Sequence, residues 1–384
     1  MTFEDIIGNS SAVRALKAMA DSGRVPHAMM LYENDGCGAL ALALAFLRYV
    51  AATSGRDEKA CAQIDKLIYP GIRFSFPITT GTKVSGKVSE ITSDLFLPYW
   101  RDLVTENPYF LESELSAALG FEKKSGLIST AEGKAILQKL SMSWVTDGYR
   151  AIVMYLPEKM NVQTANMLLK EIEEPSEGTI FILITHAPQS VLPTISSRCQ
   201  ALRILPLSRE EVEKALVERF GKDSEDAAVA ASLCGGSIGA ALHFLSDREE
   251  TNALRDIFKA MLTAVMDKNL YDALASGEEA AALDSREKQK LFCSYASGTL
   301  RQIFMVQQGL ESISGVAPSE EEFIRDASSR LPKGFARRGM DIINHAALYI
   351  DRNVAQKAIF ANMAGKLYET FIKLPASPPS TVTS

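Results

Sequence analysis

The chain has 384 residues, 47% hydrophobic and 23% charged, with a net charge of −6. That length holds two or three domains with ordinary cores, and the negative balance excludes a bulk positive field for nucleic acid, so any DNA contact would be local or supplied by partner chains. Cys37, Cys61, Cys199, Cys234 and Cys293 are odd in number and far apart, a usage that fits free thiols in a reducing cytoplasm and not a disulfide framework.

No apolar run reaches the length of a membrane span. Acidic Glu4 and Asp5 open the chain without an apolar segment, so no signal peptide is expected. Within residues 2–24, Val13, Leu16 and Met19 keep a helical spacing, and Gly23 predicts the cap. Pro26 and His27 lead into Ala28 to Tyr32, read as the first core strand. His27 has no second His or Cys beside it and reads as structural.

Glu33 to Leu40 follows, and a helix is predicted over Ala39 to Ala52. Strand, glycine loop and helix are the frame of a phosphate-binding loop. Such a loop needs glycines that open its amides to the phosphates, a Lys for their charge, and a Ser or Thr hydroxyl for magnesium. Here Glu33 stands at the first glycine position, Ala39 at the Lys and Leu40 at the hydroxyl, while Gly38 is kept. Glu33 and Asp35 would repel a triphosphate. The place is right and the chemistry wrong, so no cofactor is expected at Gly36, Gly38, Ala39 and Leu40.

The next predicted elements are a helix over Ala60 to Leu67 and a short strand at Phe74 to Pro77. Gly81 to Ser89 reads as a mobile loop with solvated Lys83 and Lys87. Helices follow at Ser93 to Thr105, Leu111 to Gly120 and Thr130 to Leu140, with Tyr99, Trp100 and Tyr109 as packing aromatics.

Ala151 to Leu156 and Thr179 to Thr185 are apolar and read as strands buried on both faces. Between them Val162, Ala165, Leu168, Leu169 and Ile172 have helical spacing, and Glu174-Pro175 stops the helix. A second helix is expected from Pro188 to Ser197-Arg198-Cys199, then a strand from Ala201 to Leu205. The layout is α/β, a parallel sheet flanked by helices. A hydrolytic P-loop protein ends its next core strand with an Asp for magnesium; here Pro157 takes that place. Glu158 reads as an exposed loop charge, and His186 as loop surface. Thr185 is expected to be structural.

Beyond Pro206 the pattern is helical. Ser208 and Glu211 form a capping box for a helix to Phe220, and helices are expected over Glu225 to Cys234 and Ile238 to Leu245. From Thr251 a rhythm such as Leu254, Ile257, Phe258, Met261 and Leu262 predicts a bundle. Gly309 to Ser319 reads as a loop. Arg330, Lys333, Arg337 and Arg338 read as a solvated basic face.

Taken together, Ala165-Asn166-Met167-Leu168-Leu169-Lys170, Glu173-Glu174-Pro175, Leu192-Pro193-Thr194-Ile195 and Ser197-Arg198-Cys199 resemble, in order and spacing, the AAA+ clamp-loader subunits of bacterial DNA polymerase III. The resemblance runs through most of the chain. It implies an AAA+ type α/β domain over 1–206, a small helical lid over 207–248, a helical collar for oligomerisation over 249–374 and a disordered tail over 375–384. In that family the Ser-Arg-Cys tripeptide carries an arginine finger. Arg198 would therefore act in trans on a neighbour's ATP, with Ser197 and Cys199 at the partner interface. Active relatives carry a sensor arginine where this chain has Gly239. Relatives often hold a four-cysteine zinc module near residues 53–71; Cys61 alone cannot form one, so no metal is expected.

The resemblance implies a cytoplasmic, non-hydrolysing, stator-like subunit without intrinsic ATPase, working within the polymerase III holoenzyme. Its partners would be gamma/tau motor subunits and a delta subunit, with sliding clamp and primer-template DNA met through the complex. An ATP-hydrolysing motor subunit is the first alternative, opposed by Ala39, Leu40, Pro157 and Gly239. A stand-alone α/β metabolic enzyme is the second, opposed by the lack of a convergent set of His, Cys, Asp or Lys.

Overall fold

The computed structural model describes residues 1–53, 58–87, 89–122, 124–142, 149–246, 248–283, 286–310, 316, 318–351 and 354–375. Residues 376–384 of the expected tail, and most of the loop expected at 309–319, lie outside them. The chain forms two compact units, one of residues 1–211 with 236–240, the other of residues 212–235 with 241–384.

The first unit is built on five strands: β1 (Ala28–Tyr32), β2 (Ile72–Ser75), β3 (Arg150–Tyr155), β4 (Thr179–Thr185) and β5 (Gln200–Arg203). Their order is β2-β3-β4-β1-β5 and every pairing is parallel. Met30 lies opposite Leu183 on one side and Ala201 on the other. β3 and β4 are buried throughout, which explains why their sequences are continuously apolar and do not alternate. Successive side chains still part to opposite faces. Ile182 and Ile184 join a core with Leu31, Val153 and Trp100, whereas Phe181 and Leu183 join another with Met30, Ile152 and Leu168.

The first core is closed by α1 (Ser10–Asp21) and α2 (Ala39–Thr53), with α3 (Glu58–Asp65), α4 (Leu97–Glu106) and α5 (Glu112–Ala118) beyond them in sequence. Trp100 stacks on Phe76 at 4.4 Å and meets Phe110 and Tyr155 edge-on. The second core is closed by α6 (Thr130–Ser141) and α7 (Val162–Glu173). Asn161 caps α7 by accepting the Thr164 amide at 2.7 Å. Helix and sheet are also joined by a buried ion pair, Arg73 Nη2 to Glu132 Oε1 at 3.0 Å. The other Glu132 oxygen accepts the Ser93 amide at 2.7 Å.

Two expected elements shift. β2 starts at Ile72 and ends at Ser75, short of Pro77, which has no amide for a ladder. The helix expected from Pro188 is split into a turn, Pro188–Ser190, and a short α8, Pro193–Ser196. The break falls at Leu192, where the following proline forces an extended ψ of 130°.

After α9 (Arg209–Glu218), the second unit contains α10 (Ser224–Leu233), the end of α11 (Ile238–Ser246), α12 (Arg248–Met266), α13 (Leu270–Ala281) and α14 (Arg286–Gln307). Helices Glu321–Arg330, Phe335–Asp351 and Gln356–Lys373 complete it. Phe258, Phe292, Tyr295 and Phe360 interlock edge-on at its centre. Glu320 accepts the Tyr295 hydroxyl at 3.0 Å and pairs with Lys259 at 2.9 Å. Arg330 is not simply solvated: it pairs with Asp267 and Asp326. Among the described residues no helix is long and apolar enough to cross a membrane.

Candidate functional site

In an open parallel sheet, ligand sites form beyond the carboxyl ends of the strands. Here three neighbouring strands deliver polar groups to one place. Glu33 and Asp35 follow β1, His186 follows β4, and Glu158 follows β3. The Glu33 amide donates to Thr185 O at 3.1 Å, which carries the β1–β4 ladder into the loop.

Gly36 and Gly38 have φ of +78° and +105°, conformations that favour glycine. A Cβ on Gly36 would lie 2.6 Å from Ser237 Oγ, and one on Gly38 would lie 2.5 Å from the Tyr109 ring. The loop thus keeps the glycine backbone while Tyr109 lies against it. Ala39 and Leu40, at the lysine and hydroxyl positions, are buried in the first core. The amide at the start of α2 is already engaged: Ala39 N–H donates to Glu33 Oε2 at 2.7 Å. A carboxylate of the chain therefore takes the position at a helix N-terminus that suits a phosphate oxygen.

His186 joins the acidic groups. Its Nε2 lies 3.7 Å from Glu33 Oε1, and its Nδ1 lies 3.5 Å from Asp35 Oδ1. Its amide donates to Glu158 Oε1 at 3.2 Å, and the Tyr155 hydroxyl lies 3.5 Å from Nε2. Burial opposes the charged imidazole, but Glu33, Asp35 and Glu158 outweigh it and raise the pKa to about 9. Asp35 is raised to about 6, mainly by burial, with His186 pulling the other way. Its Oδ1 is closed to solvent, while Oδ2 accepts the Glu112 amide at 3.0 Å.

These contacts correct two expectations. His186 is not loop surface, since its side chain is 11% exposed and flanked by carboxylates. Glu158 is not an exposed charge, because it is half-buried and anchors the turn after β4. Thr185 is fully buried and its hydroxyl accepts the Ala187 amide at 3.1 Å, a role within the turn itself. The usable signal for this cluster was positional: all of its carboxylates and the imidazole lie just past the ends of adjacent strands.

The segment Gly236–Ala240 returns to the same loop. Gly239 N–H donates to Gly36 O at 3.1 Å, and Ser237 Oγ donates to Asp35 O at 2.7 Å. A Cβ at Gly239 would stand 2.0 Å from Tyr109 O. The backbone here is too close for any side chain, arginine included.

Arg198 lies apart from the loop, between α8 and the edge strand β5. Its Nη1 donates to Thr194 O at 2.8 Å, and its Nε lies 2.9 Å from Glu173 Oε2. One third of its side chain is exposed. Ser197 is exposed, and Cys199 is half-buried with its thiol pushed up to about 11 by burial, so Cys199 is a poor nucleophile. Cys61 is buried in α3.

The strand order, the helices on both faces and the glycine loop between β1 and α2 define an AAA+ type module. Residues 8–208 match the sequence model of the family described as DNA polymerase III, delta subunit, and the chain belongs to that family. It is 35% identical over 174 residues to the delta' subunit of Pseudomonas aeruginosa, covering 42% of this chain and 50% of that one. It is 27% identical over 262 residues to the delta' subunit of Escherichia coli, covering 68% of this chain and 66% of the relative. It is also 24% identical over 207 residues to the gamma/tau subunit of Mycobacterium bovis, covering 53% of this chain and 29% of the relative. The chain spans less than two thirds of the length of these relatives. Family and relatives together make it a clamp-loader subunit of the delta-prime type.

Proposed function

We propose that the chain is a non-hydrolysing, stator-like subunit of the replicative clamp loader that offers Arg198 to ATP bound by an adjacent subunit. The observation that carries the first half is the Glu33 carboxylate on the Ala39 amide. The anion position at the start of α2 is filled by the chain's own side chain, and no lysine or hydroxyl stands at 39 or 40 to draw a nucleotide in its stead. The close backbone of Gly239 opposes the motor-subunit alternative in the same way.

In the second half, Arg198 acts by electrostatics. Water attacks the γ-phosphorus of the neighbour's ATP, the bond to the bridging oxygen breaks, and ADP and phosphate leave. Negative charge builds on the transferred group, and a planar, permanently charged fork stabilises it. The partners on this reading are gamma/tau motor subunits and a delta subunit in the cytoplasm. Sliding clamp and primer-template DNA are met through the complex. Residues 1–206 supply the α/β domain, 207–248 the lid and 249–374 the collar.

The test is Arg198→Ala in a complex reconstituted with its motor and delta subunits, clamp and primed DNA. Assembly is expected to be unchanged and the ATPase to fall at least ~10-fold, at the modest end of what such arginines supply. Unchanged ATPase removes the trans role. Saturable micromolar ATP binding by the isolated chain favours the motor-subunit alternative, and ATP hydrolysis by it removes the non-hydrolysing role.

A further inference from the structure

A guanidinium useful to a neighbour must be held in place before that neighbour arrives, since a free arginine spends its interaction energy on ordering its own side chain. Arg198 is held by two contacts from different elements. Glu173, the last residue of α7, places Oε2 2.9 Å from Nε. Thr194, within α8, gives its carbonyl to Nη1 at 2.8 Å. Among the described residues Nη2 has no partner.

We infer that Glu173 is a positioning residue for Arg198: its carboxylate fixes the guanidinium plane and leaves the outer nitrogen for a phosphate of the adjoining subunit. The inference rests on the trans reading of Arg198 given above. Glu173 is about half exposed, at 53%, so its ion pair contributes little to stability. Its consequence is orientation. The pair joins the C-terminus of α7 to the turn that precedes the edge strand. The helix that packs on the sheet between β3 and β4 thereby sets the direction of a side chain at the sheet's rim.

Two features distinguish this contact from a chance surface pair. The Thr194 carbonyl, within the first turn of the short α8, is claimed by the Arg198 guanidinium, whereas the Arg198 amide turns back to Ile195 O at 3.0 Å. Backbone and side chain of Arg198 are therefore both tied to α8, and among the described residues Glu173 supplies the one contact to the guanidinium from another element. Glu173 also touches none of the loop residues 33–40 by hydrogen bond or ion pair, so changing it does not disturb the filled cradle.

The test compares Glu173→Ala, Glu173→Gln, Arg198→Ala and the Glu173→Ala/Arg198→Ala double variant in the reconstituted complex, with kcat and KM for ATP measured separately. Gel filtration checks assembly in each case. Glu173→Ala is expected to lower kcat ~10-fold with KM unchanged, the size of a modest misplacement of a catalytic group. Glu173→Gln, which keeps the length of the side chain but removes the charge of an ionic contact, is expected to recover little of that loss. The double variant is expected to match Arg198→Ala, because a positioning residue has nothing left to position. A Glu173→Ala complex as fast as the wild type or faster, beside a slow Arg198→Ala complex, overturns the inference. So does a Gln variant as fast as the wild type, a further loss in the double variant, or failed assembly of Glu173→Ala. If Arg198→Ala itself is as fast as the wild type, the trans reading falls and the inference falls with it.

Discussion

Replacing His186 by glutamine removes the cation that lies between Glu33 and Asp35 while keeping a polar side chain of similar length. The imidazole is held at about 9 against 6.5 in an unfolded chain. A raised folded value for a base means that protons bind the folded state more tightly, so the stabilisation is full below pH 6.5 and is lost as pH rises through 9. At about 1.4 kcal/mol for each pH unit, the displacement is worth about 3 kcal/mol. Asp35 works in the opposite sense. Its carboxyl is raised to about 6, so its ionisation costs stability as pH climbs from 3.8 toward 6, and losing the His186 charge would push it higher still. The two titrations belong to one pair, and the 3 kcal/mol is counted once. Trp100 is buried in the first unit, so its fluorescence follows the unfolding of that unit. The wild type is expected to exceed His186→Gln by about 2–3 kcal/mol at pH 6, with the gap closing between pH 7 and 9. A gap that stays constant from pH 6 to pH 9, or an imidazole midpoint at 6.5 or below by NMR, would refute the account of this cluster.

Glu132→Ala leaves Arg73, 3% exposed, with the partly exposed Asp94 as its remaining carboxylate partner. Removing one side of a buried pair is expected to cost about 3–5 kcal/mol, read as a lower urea midpoint by tryptophan fluorescence. Gly239→Ala drives a Cβ to within 2.0 Å of Tyr109 O. The backbone must yield, at a cost of about 1–3 kcal/mol; an unchanged thermal midpoint would show that the segment is looser than its contacts imply.

The fold was legible where one force decided the local pattern. β4 appears at Thr179–Thr185 as its apolar run predicts, because a strand buried on both faces has a single interpretation at that length. The capping box at Ser208 and Glu211 forms with both bonds in place, at 2.9 and 3.2 Å, because it is a contact between near neighbours. That Ala39 and Leu40 stand where such a loop carries a lysine and a hydroxyl is a matter of residue types alone. What could not be read was the filling of the cradle. Glu33 reaches Ala39 only because the loop reverses, and His186 reaches Glu33 only because β4 and β1 are neighbours. Sequence separation hid these contacts, so a repulsive carboxylate could be inferred but not its role as a ligand of the helix terminus. Glu173 was visible as part of a motif, yet its 2.9 Å pairing with Arg198 depends on where α8 breaks at Leu192.

The two halves of the proposed function place opposite physical demands on one chain. A nucleotide pocket has to remain open and carry unpaired donors, which costs stability until a ligand satisfies them. A finger for a neighbour has to remain fixed and exposed. In this chain the Ala39 amide at the start of α2 and the loop carbonyls of Asp35 and Gly36 are satisfied internally, by Glu33, Ser237 and the amide of Gly239. At the rim the Arg198 guanidinium keeps Nη2 without a partner among the described residues. On the proposed reading, closing the pocket stiffens the sheet end from which α7 and α8 are oriented, and that stiffness is what lets Arg198 be presented without a nucleotide of its own to organise it. The prediction for Glu173 and the prediction for His186 therefore probe separate parts of one arrangement: the first tests where the guanidinium points, the second how firmly the filled cradle holds the sheet end behind it.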